Sequence, residues 1–230
     1  MIPIKDNIPN DRFPFVTVGL IVANVVLYLL AIGHGGSFFG GPTQHELVKY
    51  GAVPHALTHN QARLGIPAWE TVFTSMFIHA SFIQLVGNLL FLWLLGNTVE
   101  NATGPARFIA FYLVGGVAAL ALQVAISPDA THPTVGAAGA IAAVVAGYVV
   151  LYPRGKVLTV VLIPFLFTVL EVPAVIMLAL WFAEQAVFAA VGLTTPGSTG
   201  SVAYLAHVGG LAFGALAIRA VATKRKAIAA

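Results

Sequence analysis

From Phe15 to Ile32 the chain runs without a single charged side chain, and apolar runs with at most one charged side chain each recur up to Val221. A bilayer core of about 30 Å takes about 20 helical residues, and within it every backbone N–H and C=O must be bonded inside its own segment. Further apolar runs fall at 71–95, 108–126, 136–152, 172–191 and 201–221. The expected fold is therefore an all-α polytopic membrane protein, a single domain over residues 1–230 whose six transmembrane helices start with 15–32. Composition excludes a soluble domain, because 59% of the residues are hydrophobic and 8% are charged, too few ionic groups to cover a surface in water.

The segments between the runs are informative. Residues 1–14 carry Lys5, Asp6, Asp11 and Arg12 but no short apolar stretch with a cleavage site, so the first run is expected to stay as an anchor. Residues 33–70 mix Gly, Pro and His with Phe38, Phe39, Leu47, Val48 and Trp69, which suggests a folded loop on the membrane surface. Residues 96–107 read as a polar turn containing Glu100 and Arg107. The stretch 157–171 is apolar but interrupted by Pro164, and reads as an interfacial segment rather than a crossing. Residues 222–230 form a basic tail.

Charge sets the orientation. With the N-terminus inside and six crossings, Lys5, Arg12, Arg107, Arg154, Lys156, Arg219, Lys224, Arg225 and Lys226 all lie inside, leaving only Lys49 and Arg63 of the 11 cationic side chains outside. A seventh crossing at 157–171 would move Lys224, Arg225 and Lys226 outside. Both termini are thus expected in the cytoplasm, with His79, the start of the fourth run and His207 near the outer face. The net charge of +3 reports topology, so no nucleic-acid partner is expected. There is no cysteine and hence no thiol chemistry. His34, His45, His55 and His59 are too loosely spaced for a metal site and read as surface residues. No cofactor is expected.

A strongly polar residue inside a membrane helix costs several kcal/mol unless it meets a partner or a cavity. His79 and Asn88 on the second run and His207 on the sixth meet that description, with Gln84 lying between the first two. Gln84 and Asn88 share one helix face, being four residues apart. The bland alternative is that they act as interhelical glue worth about 1 kcal/mol each. Gly139, Ala143 and Gly147 on the fourth run, and Gly210 and Gly214 on the sixth, recur every four residues and provide faces for close helix contact. At Gly136 and Gly139 the backbone can turn tightly where a helix would begin, with its free N–H groups directed into a cavity.

The segments Phe73-Thr74-Ser75-Met76-Phe77-Ile78-His79-Ala80, Gly87-Asn88-Leu89-Leu90-Phe91-Leu92-Trp93, Gly136-Ala137-Ala138-Gly139-Ala140, Tyr152-Pro153-Arg154 and Ala206-His207-Val208-Gly209-Gly210 run in this order. Together they resemble the rhomboid family of intramembrane serine proteases, over most of the chain from about Trp69 to Phe213. The resemblance implies a six-helix core, a membrane-embedded loop after the first helix and a short fourth helix opened by a Gly-x-Ser-Gly motif. It implies that His207 is the base of a Ser/His dyad and that Asn88 helps to hold the oxyanion. His79 matches the first histidine of the second-helix motif, and Gly136, Gly139, Gly210 and Gly214 match supporting glycines. Gln84 stands where many members carry a second histidine near the oxyanion; its amide can still donate a hydrogen bond.

Ala138 occupies the nucleophile position. A methyl group neither attacks a carbonyl nor yields a proton to His207, and loss of one member of a nucleophile/base unit costs on the order of 10⁶ in rate. Thr134 and Ser201 lie nearby in sequence but outside the motif, and read as turn and cap residues. Two readings follow: a serine-type endopeptidase scaffold disabled by a serine-to-alanine change, natural or introduced, or a pseudoprotease that binds transmembrane helices without cleaving them. A transporter using His79, Asn88 and His207 as a polar path is disfavoured, since no inverted repeat of broken helices is visible. The expected partners are transmembrane proteins and the lipid bilayer. The expected location is a prokaryotic plasma membrane, with the cavity opening to the outer side.

Overall fold

The first uncharged run forms helix α1 (Phe15–Ile32) in the computed structural model, which describes residues 2–163, 166–176, 178–179, 182–183 and 200–223. Ahead of it lies strand β1 (Ile2–Asp6). Helices α2 (Gln44–Tyr50), α3 (Pro54–Thr58) and α4 (Ala68–Thr74) follow. Then come α5 (Phe82–Thr103), α6 (Pro105–Ile126) and α7 (Ala138–Leu151). Strands β2 (Lys156–Ile163) and β3 (Leu166–Pro173) precede the last described helix, α8 (Gly200–Val221). Of these helices α1, α5 and α6 are long and apolar enough to cross a membrane, while α7 is a 14-residue apolar helix.

The second run departs from the expected span of 71–95. Helix α4 stops at Thr74, the chain is non-helical through Ser81, and α5 then continues to Thr103 with a π-helical turn at Leu92–Gly96. Ser81 starts it, its Oγ accepting the Gln84 N–H at 3.2 Å, a helix N-cap that frees the preceding residues from helical pairing. His79 therefore lies on irregular backbone, not within a helix. Glu100, expected on a polar turn, sits in α5 and is 4% exposed. Its carboxylate accepts the Val16 N–H at 3.0 Å, the Thr17 N–H at 2.8 Å and the Thr17 hydroxyl at 2.7 Å. These are orphan donors at the start of α1, and an anion there also complements the helix dipole.

The all-α expectation requires a second correction. The stretch 157–171 forms a β-hairpin, with Lys156 opposite Pro173 and Ile163 opposite Leu166, and β1 adds antiparallel to β2 to give the order β1-β2-β3. Val157, Thr159, Val160 and Val161 suit a pleated strand, and pairing satisfies backbone groups that a single interfacial segment would leave to water. Lys156 Nζ meets Glu171 Oε2 at 3.0 Å across the hairpin. Asp6 of β1 accepts the Thr98 hydroxyl at 2.7 Å, tying the sheet to α5. The described residues are thus mainly helical with one three-stranded sheet.

At the centre lies α7, nearly every residue of which is buried. Its small residues let α8 approach until Gly210 sits against the Gly139 carbonyl and Gly214 against the Ala143 carbonyl, with no space for a Cβ at either. On its other side an added Cβ at Gly139 would lie 2.6 Å from Ala119 Cβ of α6. The helix is clamped between α6 and α8 by the four-residue repeats expected from the sequence. The 33–70 loop is folded: Ala52 and Thr134 exchange backbone hydrogen bonds at 3.0 and 2.7 Å, anchoring it beside the entry to α7. Most of the expected span 172–191, together with residues 224–230 of the basic tail, lies outside the described residues.

Candidate functional site

The polar residues that the sequence singled out come together at the N-terminus of α7. Gly136 takes φ +111°, a conformation glycine adopts without strain, and donates its N–H to the Ser75 carbonyl at 2.8 Å. Gln84 reaches over from α5, accepting the Ala80 N–H at 2.7 Å and donating through Nε2 to the Val135 carbonyl at 3.2 Å. A Cβ at position 136 would lie 2.7 Å from that Nε2 and 3.6 Å from Asn88 Nδ2. Gly136 is therefore required twice, by its backbone angle and by the side chains packed on it.

Asn88 is 3% exposed, and its Nδ2 has no hydrogen-bond partner among the described residues. A buried donor of this kind normally finds an acceptor. His79 is fully buried, and its Nε2 lies 3.5 Å from the Ala137 N–H, a long contact. Ala138 opens α7, and His207 is 3% exposed on α8. The two line one cavity of about 30 Å³ with Ser75, Thr134, Gly136 and Gly139. That volume suits about two water molecules at most and excludes a peptide in this state. At Ala138 the lining offers a methyl group and no exchangeable proton.

Sequence reasoning passed over Ser75 and Met76. Ser75 supplies the carbonyl that fixes Gly136, and Met76 Sδ would lie 2.5 Å from a Cβ at Gly116, so it needs that glycine opposite. The one signal was Gly116 itself, which faces Met76 in the break after α4 as well as Ala140 of α7. Thr134 does line the cavity, with Oγ1 unpartnered among the described residues. The Ser201 side chain lies outside the described set. His55 and His59 stack with ring centroids 4.2 Å apart, and among the described residues no three potential ligands cluster as a metal site would need.

A non-helical break carrying a histidine, an amide pair on the helix after it, a glycine-led short helix and a histidine packed on that helix define a rhomboid-type membrane domain. The chain belongs to the rhomboid family: the family model of the Rhomboid domain matches residues 67–224. One curated relative is the presenilin-associated rhomboid-like protein, mitochondrial, of Rattus norvegicus, 28% identical over 153 residues, which are 65% of this chain and 36% of that protein. The presenilin-associated rhomboid-like protein A, mitochondrial, of Danio rerio is 33% identical over 92 residues, 39% of this chain and 24% of that one. The aligned part thus spans 36% of the rat protein's length. The protein is an integral membrane protein by family and by its apolar helices. Relatives named mitochondrial do not fit the expected prokaryotic plasma membrane, and that expectation is withdrawn.

Proposed function

We propose that this chain is a rhomboid scaffold that receives transmembrane helices of other proteins at the α5/α7/α8 site and does not hydrolyse them. The observation that carries this reading is Ala138 at the head of α7, on the same cavity as His207. In the family reaction a serine at that position attacks the substrate carbonyl, His207 takes its proton, and Asn88 with the backbone N–H groups before α7 holds the oxyanion. Here the base and the amide donor are present, and the attacking oxygen is absent. The domain is a single unit over 1–230 with six crossings, both termini in the cytoplasm and the site toward the opposite face. In support, one end of the structure gathers β1, the hairpin and the end of α8, and the other gathers the 33–70 loop and the site.

The engagement of Gln84 favours a site built for binding. Both ends of its amide hold backbone groups, so it braces the loop before α7 with one of its two amide N–H groups already committed. The test is a photocrosslinking residue at Val208, which is 38% exposed next to His207. In native membranes it should capture single-span proteins at their intact length. Capture of none, or recovery of shortened fragments that depend on His207, would overturn the proposal.

A further inference from the structure

At the end of the bundle away from the site, α6 and α8 part to leave a lateral groove of about 330 Å³. Its floor is the Phe111–Phe213 pair, with ring centroids 5.5 Å apart, and its wall includes Val114 and Val221. Val114 is 50% exposed, so the groove opens sideways toward the surrounding lipid. At its mouth stands Arg107, exposed and without a salt bridge among the described residues. Arg107, Phe111 and Val114 share one face of α6, four and then three residues apart, so the apolar slot runs about 10 Å down the helix from the guanidinium.

Among the described residues that line the groove, Arg107 alone carries a charge. Thr223, just past α8, donates its N–H at 2.9 Å and its hydroxyl at 3.1 Å to the Ala102 carbonyl, beside the α5–α6 turn that leads into Arg107. The sequence then continues directly into Lys224, Arg225 and Lys226. The carboxylate closest in sequence, Glu100, is committed to the start of α1.

We infer that this groove is a binding site for an anionic glycerophospholipid, its phosphate at Arg107 and one acyl chain lying along Phe111, Val114 and Phe213. A cation at the depth of the headgroups above an apolar slot between two membrane helices complements such a lipid, and attracts a zwitterionic one less because its choline cation offsets the pull on the phosphate. The site is separate from the client-binding reading and does not depend on it.

The test uses the full chain, delipidated in non-ionic detergent, with bound lipid counted by native mass spectrometry. Phosphatidylglycerol should be retained and phosphatidylcholine largely lost. Arg107→Gln, a surface change that leaves the fold alone, should weaken retention about five-fold. Val114→Trp, which fills the groove and keeps every charge, should abolish it, its folding being checked separately by melting without lipid. Equal retention of the two lipids, wild-type retention by Arg107→Gln, or displacement of phosphatidylglycerol by inorganic phosphate alone would overturn the assignment.

Discussion

The Gln84 amide donates to the Val135 carbonyl at 3.2 Å, a hydrogen bond that joins α5 to the loop opening α7. The same amide accepts the Ala80 N–H, so one side chain holds two irregular stretches together. Gln84→Ala should lose about 1–3 kcal/mol, because it also leaves backbone groups unpaired. The check is thermal melting in detergent; an unchanged midpoint would show that the brace carries no weight.

Ala138→Ser separates the two histories open to such a site. Restoring the hydroxyl beside His207 should permit labelling by a serine-directed fluorophosphonate if the scaffold is a disabled protease, and His207→Ala should then remove it. Absence of label, with melting unchanged, supports a site long adapted to binding. The unmodified chain should not label; a signal that vanishes with Thr134→Ala would refute the present view of Ala138.

Glu100→Gln removes the anion that gathers the Val16 and Thr17 donors while leaving its shape almost unchanged. A loss of about 1–3 kcal/mol is expected, the range for charge-assisted hydrogen bonds, read as a lower urea or thermal midpoint.

Asp6 introduces a pH dependence. Burial raises its pKa above the ordinary carboxylate value, a shift opposed in part by the Thr98 hydroxyl. A carboxyl whose folded-state pKa is raised contributes stability that is full below the unfolded value near 3.9 and is lost as pH rises through the folded value. Asp6→Asn, neutral throughout, should therefore melt above the parent at pH 7, and the gap should close as pH approaches 4. A gap that widens on acidification would contradict this sign.

Two glycines give a matched pair. Gly210→Ala drives a methyl into the Gly139 carbonyl and should cost about 3 kcal/mol or more by separating α7 from α8. Gly87→Ala, where nothing lies within 4 Å, should change the melting midpoint by the equivalent of about 0.5 kcal/mol or less. Equal effects would mean that α7 and α8 can part without penalty.

What was legible in the sequence follows from the reach of each signal. The uncharged stretch of α1 and the four-residue repeats of α7 and α8 are local patterns, and the structure places them as the spacing implies. The gathering of His79, Gln84, Asn88, Ala138 and His207 was visible through the motifs and the shared depth. The break from Ser75 to Ser81 was hidden because Met76, Phe77 and Ile78 continue the apolar run, and only the Ser81 cap marks its end. Glu100 looked like surface charge because its partners, Val16 and Thr17, lie far away in the chain. The sheet was least visible: Val157–Ile163 alternates no more than a buried helix does, and its edge partner is a five-residue strand at the other end of the sequence.

That pairing orders events in time. Asp6 is made before any of the helices, yet its strand partner Val157 emerges only after α1, α5, α6 and α7 have been synthesised. Until then β1 has an open edge, and contacts so distant in sequence form late and slowly. The N-terminal strand thus works as a latch that closes only when the helices before the hairpin have already been delivered.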